Sequence, residues 1–348
     1  MAEFNYHEKL NIKNTKRLRN LISELPRFSS DFFRGIEPNT SSKTRIAYAY
    51  DLKVFFEFLC STNPALKNVL IKNLKVTILD NIKPIDIEEF LEYLSYYESD
   101  GKEYINSATG KKRKLTTLRS FYNYFFKKEI INTNPASLVN IPKIHQKEII
   151  RLDIDEVAKL LDEVESGKSL TPSQQKYHKK TRKRDLAIIT LLLGTGIRVS
   201  ECIGLDIDDV DFNNDAIKIV RKGGNEAVIY FGDEVRSALE SYMIERENII
   251  TIDGHEDALF LSMQRRRISV RSVENLVKKY SGLVTSLKKI TPHKLRSTYG
   301  TSLYQATGDI YLVADVLGHN DVNTTKKHYA AIEEDRRRRA ANMVKLRE

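Results

Sequence analysis

Cysteine is nearly absent from this sequence: Cys60 and Cys202 stand far apart in 348 residues. That argues against a disulfide framework and a cysteine-rich zinc site, and it fits a reducing compartment. Long hydrophobic runs are missing too. The longest, around "LAIITLLLG" (186–194), is far too short to span a bilayer. The first twenty residues, "MAEFNYHEKLNIKNTKRLRN", are polar and do not read as a secretory signal. No group of residues has metal-ligand spacing, and there is no Walker-type glycine loop, internal repeat or low-complexity segment. These absences predict a soluble, cytoplasmic protein with neither a metal nor a nucleotide cofactor. The length favours two domains, each able to bury a core without covalent staples.

What the chain has in excess is positive charge. Its formal net charge is +10, with a pI near 9.3. Such a balance favours a polyanionic partner, nucleic acid first. The charge is unevenly spread. Residues 101–147 hold ten Lys/Arg against two acidic side chains, whereas 80–100 is acidic.

Three amphipathic helices are expected early in the chain. "SSKTRIAYAYDLKVFFEFLC" (41–60) opens with capping residue types and continues at helical spacing. "KPIDIEEFLEYLSYYESDG" (83–101) and "SATGKKRKLTTLRSFYNYFFKKEIINTNP" (107–135) follow. In the third, Leu115, Leu118, Phe121, Tyr122, Phe125 and Phe126 form the apolar stripe. Lys111, Lys112, Arg113, Lys114 and Arg119 lie mainly off it and are candidate phosphate contacts. Residues 27–142 therefore read as a small helical domain behind a basic extension, 1–26. The basic, aperiodic stretch 143–150 reads as a linker.

A second pattern starts at 151. "KYHKKTRKRD" (176–185) is a basic run, which fits either phosphate contact or a solvated face. "DAIKIVRKGGNEAVIYF" (215–231) has two β-rich runs around Lys-Gly-Gly-Asn, a hairpin signal. The remainder is mostly helical, so the second domain is helical with a small antiparallel sheet.

The chemistry-bearing residues sit at punctuation points. "LLLGTGIRVSECIGL" (191–205) stops an apolar helix at Gly-Thr-Gly and then presents Arg198 and Glu201. "TPHKLRSTYGTSLYQATG" begins at Thr291, an N-cap type, with Pro292 suited to the first turn. His293 and Arg296 then share one helical face, and Gly308 suits the helix end. A short helix over 309–317 is closed by Gly318, with His319 directly after. "NTTKKHYAAI" (323–332) carries Tyr329. Each residue alone has a dull explanation as a cap, an ion pair or a core tyrosine; the combination does not.

"GTGIRVSE", "HKLR", "LGHNDVNTT" and the tyrosine after them resemble, in order, the boxes of the tyrosine recombinase (phage integrase) family. The resemblance covers about 150–332, and 27–142 is similar to that family's core-binding domain. It implies a mostly α protein: an all-helical, SAM-like N-terminal core-binding domain (27–142), then a mainly helical catalytic domain (151–332) with a small antiparallel β-sheet. By the same resemblance, Arg198, Lys222, His293, Arg296 and His319 are catalytic, Tyr329 is the nucleophile, and Glu201 is the acidic neighbour of Arg198. Tyr304 and Tyr311 precede the second histidine and do not match.

The residue types suit phosphoryl transfer. Arg198 and Arg296 offer planar forks to the non-bridging oxygens of a DNA phosphodiester, where charge gathers on attack. Tyrosine has a reference pKa of about 10, so its proton must leave during attack, and His293 can accept it. Lys222 can protonate the departing 5′ oxygen, and His319 can donate to the phosphate. The resemblance further implies a 3′-phosphotyrosine intermediate, a homo-tetramer on two double-stranded DNA sites, strand exchange through a Holliday junction, and a Xer-like or transposon-borne type. The tail 333–348 is either a docking face for a neighbouring protomer or a frayed basic end. Three other readings remain: a type IB topoisomerase-like nickase, a catalytically silent DNA-binding protein, and an RNA-binding helical protein.

Overall fold

The computed structural model describes residues 4–99, 101–143, 150–221, 224–318 and 322. Lys222, His319, Tyr329 and the tail 333–348 lie outside the described residues, as does most of the stretch 143–150. The chain divides into two compact units, Met1–Lys147 and Glu148–Glu348. Among the described residues no helix is long and apolar enough to cross a membrane.

The first unit is built from α1 (Tyr6–Glu24), α2 (Ser29–Gly35), α3 (Ser42–Thr62), α4 (Ile78–Asn81), α5 (Pro84–Tyr93), a hairpin of β1 (Tyr97–Ser99) and β2 (Lys102–Tyr104), α6 (Ala108–Lys127) and α7 (Pro135–Leu138). Residues 6–24, which read from sequence as part of a separate extension, form a helix packed on α3. Asn5 and Glu8 close its start with reciprocal 2.9 Å bonds, and Leu18 is buried in the core of this unit. The helix was illegible because its mean hydropathy is low and few of its side chains face inward.

That core is aromatic. Phe121 meets Phe32 and Phe125 edge-on, each with ring centroids 5.0 Å apart. Phe55 meets Phe90 at 5.1 Å. Such pairs contribute about 0.5–1.5 kcal/mol each beyond the area they bury.

Three expectations change here. The helix expected over 83–101 ends at Tyr93, and the rest becomes the hairpin, with Tyr97 stacked on Tyr104 at 5.1 Å. The unit is therefore helical except for this hairpin. Phe126 is exposed, since α6 turns it away from the stripe held by Phe121, Tyr122 and Phe125. The third helix stops at Lys127, where Glu129 takes a left-handed φ of 56°. Ile130 N–H then bonds Phe125 O at 3.0 Å and Glu129 N–H bonds Phe126 O at 3.0 Å, a Schellman stop made without glycine.

The second unit contains α8 (Ile154–Ser166), α9 (Pro172–Thr195), α10 (Val199–Cys202), β3 (Val210–Asp211), β4 (Ala216–Val220), β5 (Glu226–Tyr230), α11 (Asp233–Arg246), α12 (Val270–Val284), α13 (Pro292–Thr307) and α14 (Ile310–Leu317). The strands form an antiparallel sheet in the order β3-β4-β5. Helix α9 is central and packs against α8, α11 and α13. Its first half is the basic run, with Lys176, Lys179, Lys180 and Arg182 exposed; its second half buries Ile188, Ile189, Leu191 and Leu192. Asp185 is buried where the halves meet. It accepts from Arg184 (2.6 Å), Thr181 (2.9 Å) and the Tyr280 hydroxyl (3.1 Å), so one carboxylate ties α9 to α12. A satellite cluster of Tyr304, Val313 and Leu317 packs α14 against α13.

Candidate active site

The site begins where α9 ends. Gly196 caps the helix in the left-handed region, φ 62°, and a side chain there would overlap the Tyr299 ring of α13. Ile197 is buried and anchors the turn. Arg198 is the N-cap residue of α10, and Glu201 occupies the third position of that helix. The Glu201 carboxylate is buried and serves Arg198 twice. One oxygen accepts from the Arg198 backbone N–H at 2.7 Å and the other from Nη1 at 2.7 Å. The backbone and the guanidinium of the same residue are thus held by one anion. About a third of the Arg198 side chain (35 %) stays exposed.

Arg296 approaches from α13, whose first turn carries Pro292. Thr291 occupies the cap position without a side-chain hydrogen bond. Arg296 is buried; Nη1 donates to Gly196 O at 2.6 Å and Nη2 to Leu317 O. Arg198 Nη2 donates to the next carbonyl, Gly318 O, at 3.1 Å. Two arginines 98 positions apart in sequence therefore donate to consecutive carbonyls at the end of α14. Both guanidiniums are thereby drawn to the same helix end. His293 lies one turn before Arg296 with an exposed side chain, and its carbonyl accepts from Ser297 Oγ at 3.0 Å.

The reason for the convergence is the helix end itself. The last carbonyls of a helix have no partner within it and carry partial negative charge. Helix α14 starts at Asp309, which accepts from Tyr311 N–H (2.8 Å) and Leu312 N–H (3.1 Å), and it closes at Gly318 with φ 60°. Its terminal carbonyls face arginines. A third one arrives from the end of β4: Arg221 donates from Nη1 to Asp315 O at 3.2 Å and from Nη2 to Val316 O at 3.0 Å. The sequence did not single out Arg221; its place directly before the hairpin lysine was the available signal. Among the described residues no group of three or more His, Cys, Asp or Glu could hold a metal ion.

The basic residues of α6 belong to the first unit and divide into two kinds. Lys112 is exposed, and Lys111 reaches Ser95 Oγ at 2.7 Å. Lys114, expected on the phosphate-facing flank, is instead buried, 3.6 Å from the Asp51 carboxylate and 3.1 Å from Asn106 Oδ1. It shares a helical face with Thr117, Leu118 and Phe121, which turns it inward. Arg113 also pairs with Asp51. Arg119 is a strut, donating to Ala136 O at 3.1 Å and Val139 O at 2.6 Å.

Residues 151–336 match the phage integrase family, more than half of the chain. The chain belongs to that family. The tyrosine recombinase XerC of Caldanaerobacter subterraneus subsp. tengcongensis is 33% identical over 87% of this chain and 81% of its own. The tyrosine recombinase XerD of Oceanobacillus iheyensis is 30% identical over 85% and 91%. Among solved structures, XerH bound to a palindromic difH substrate in a post-cleavage complex aligns with a TM-score of 0.63 at 24% identity, over 87% of this chain and 80% of that one. The Tn1549 transposon integrase in complex with circular intermediate DNA gives 0.60 at 21%, over 86% and 93%. Both share the fold. This phage integrase family member is a tyrosine recombinase of the Xer type.

Proposed function

We infer that the protein is a site-specific DNA recombinase that cleaves and rejoins strands with Tyr329 as nucleophile. The observation that carries this reading is the convergence of Arg198 and Arg296 on consecutive carbonyls at the end of α14, with Glu201 bracing Arg198. His319 directly follows this point in sequence, and Tyr329 is ten residues further on.

In the reaction proposed, a backbone phosphate of duplex DNA binds beside the exposed part of Arg198. The Tyr329 phenol oxygen attacks phosphorus and its proton passes to His293. The phosphorus–O5′ bond breaks, and the departing oxygen takes a proton from Lys222. The products are a 3′-phosphotyrosine and a free 5′-hydroxyl. Attack by a 5′-hydroxyl of a second duplex reverses the step, so strand exchange needs no external energy source. Arg198, Arg296 and His319 stabilise the charge that develops on the non-bridging oxygens, the contribution that usually dominates such catalysis. Arg198 suits this role because its charge is held by a buried carboxylate that does not compete for its exposed edge.

The finer assignments belong to the same proposal. The first unit grips the duplex, with Lys111 and Lys112 of α6 as phosphate contacts. Two DNA sites are held by a tetramer acting in pairs, in the cytoplasm. XerH bound to its difH substrate and the Tn1549 integrase in complex with circular intermediate DNA support the choice of partner.

A nicked suicide duplex tests the chemistry. Incubation without added metal is expected to leave a detergent-resistant protein–DNA adduct, and Tyr329→Phe to abolish it while DNA binding persists. Adduct formation by the phenylalanine variant would remove Tyr329 from the mechanism. Relaxation of supercoiled DNA without any exchange between two sites would favour the topoisomerase-like outcome.

A further inference from the structure

The end of α14 receives one arginine whose role the reaction above does not use. Arg221 is the first residue after β4, next to Lys222. Its backbone extends the hairpin ladder beyond the Val220–Glu226 pair: Arg221 N–H donates to Asn225 O at 2.8 Å, and Gly224 N–H donates to Arg221 O at 3.1 Å. Its side chain leaves the hairpin altogether and forks onto two consecutive carbonyls of α14, Asp315 O at 3.2 Å and Val316 O at 3.0 Å. Gly318 leaves the space for this fork. A side chain at 318 would overlap the guanidinium, and the backbone there is in the left-handed region.

We propose that Arg221 is a positioning residue, a staple that fixes the root of the β4–β5 hairpin to the α14 terminus and so sets where Lys222 stands relative to the phosphate. The proposal rests on Lys222 being the acid for the leaving oxygen. The physical logic is geometric. The hairpin joins the core through Ile217, Ile219 and Ile229, all on the strands. Beyond the last strand pair, the Arg221 side chain is the described link between the hairpin tip and the arginine-rich helix end. A planar fork on two carbonyls fixes orientation as well as distance, which one ammonium does not. The carbonyls it takes lie immediately before those used by Arg296 and Arg198, so the hairpin and both phosphate-binding arginines are registered against one rigid object. Acid catalysis is sensitive to such registration: a displacement of about 1 Å can cost on the order of 10²-fold in rate.

The test is single-turnover cleavage by full-length Arg221→Ala, Arg221→Lys and Lys222→Ala on two suicide duplexes. One carries the normal 5′ oxygen at the cleaved bond and the other a bridging 5′ sulfur. When sulfur leaves, the phosphorus–sulfur bond breaks and the thiolate departs with the electron pair, without needing a proton. Arg221→Ala is expected to cut the oxygen substrate on the order of 10²-fold more slowly and the sulfur substrate at close to the parent rate. Arg221→Lys should fall between, and DNA affinity with its salt dependence should stay as in the parent.

Rescue of Lys222→Ala but not Arg221→Ala by sulfur would overturn the staple and leave Lys222 as the acid. Failure of sulfur to rescue Lys222→Ala would remove the acid role itself, and the proposal with it. Weakened DNA binding with a shallower salt dependence in Arg221→Ala would make Arg221 a direct phosphate contact, and an unchanged oxygen rate would make it dispensable; either result overturns the proposal. Should Arg221→Ala fail to fold by thermal melting, the sulfur-to-oxygen rate ratio of Arg221→Lys decides: a ratio above the parent's supports the staple, and an equal ratio overturns it.

Discussion

Cations cluster around Asp51 in the first unit and around the end of α14 in the second, and the two groups are neutralised differently. Asp51 is a full negative charge in the interior, met by Arg113, by Lys114 at 3.6 Å and by the Thr117 hydroxyl at 2.8 Å. Burial pushes its carboxyl above the usual carboxylate range, with Arg113 and Lys114 opposing that shift. Burial likewise holds the Lys114 ammonium below its ordinary pKa, against the pull of Asp51. Charge is matched by opposite charge, and the result ties α3 to α6. At α14, three guanidiniums meet backbone carbonyls, with Glu201 as the carboxylate bonded to one of them. Carbonyl dipoles satisfy hydrogen bonds without cancelling net charge. With three guanidiniums against one carboxylate, the α14 group keeps more positive charge for an incoming anion than the Asp51 group, where one carboxylate meets two cations.

The most damaging change is expected at the charge-matched cluster. Asp51→Asn keeps the shape and removes the anion, leaving Lys114 buried without its counter-charge. Breaking a buried pair this way costs about 3–5 kcal/mol. Urea unfolding should show the loss in the transition of the first unit; a change below about 1 kcal/mol would mean that the lysine deprotonates or escapes to water at little cost.

The comparison sharpens when one substitution is made in both places. Arg198→Lys keeps the charge but loses the fork that spans Glu201 and Gly318, and cleavage of a suicide duplex should fall by about 10²-fold or more. Arg113→Lys, half-exposed and beside an anion that needs only charge, should change unfolding free energy by no more than about 0.5 kcal/mol. Equal insensitivity of both sites to the exchange would erase the distinction between them.

The smallest effect belongs to charges matched in water. Lys288 bonds Asp153 at 3.0 Å and Glu156 at 2.6 Å, near the start of α8. The hydrogen bond from Lys288 holds the Asp153 carboxyl below its ordinary 3.8. A depressed folded value means that the contribution is present above about 4 and is lost as pH falls through the folded pKa. Lys288→Ala should therefore cost at most about 1 kcal/mol at neutral pH, shrinking as pH falls below the ordinary carboxylate range, as read by urea melts across pH. A cost that persists in acid would assign the effect to packing of the lysine stem.

Much of this fold is legible in the sequence. Periodicity marked α3 and α6, the Lys-Gly-Gly-Asn tip marked the β4–β5 hairpin, and Gly308 and Gly318 marked helix ends, because each is a local consequence of backbone sterics or repeat spacing. Arg198, Glu201, His293 and Arg296 were named as candidates by the resemblance of the motif boxes to the tyrosine recombinase family, a likeness of residue types in order along the chain. The misreadings were non-local. Lys114 looked like a flank residue, yet its environment depends on Asp51, which sits on another helix. Tyr97 fell inside the helix expected over 83–101, yet cross-strand stacking on Tyr104 places it in a hairpin. The Schellman stop at Glu129 uses a residue with no intrinsic taste for positive φ, so only surrounding contacts explain it.

The order of the amino acids by itself determined which side chains have chemistry suited to phosphoryl transfer and which helices and turns would carry most of them, since those properties belong to residue type and short-range geometry. Only the tertiary structure decided where the cations find their partners. A backbone carbonyl has the same chemistry at every position, so although Gly318 marks a helix end, nothing written at 315–318 announces that this end will face Arg198, Arg221 and Arg296; that pairing exists once α14 packs on α13, and α13 and the β4 strand are held beside the end of α9.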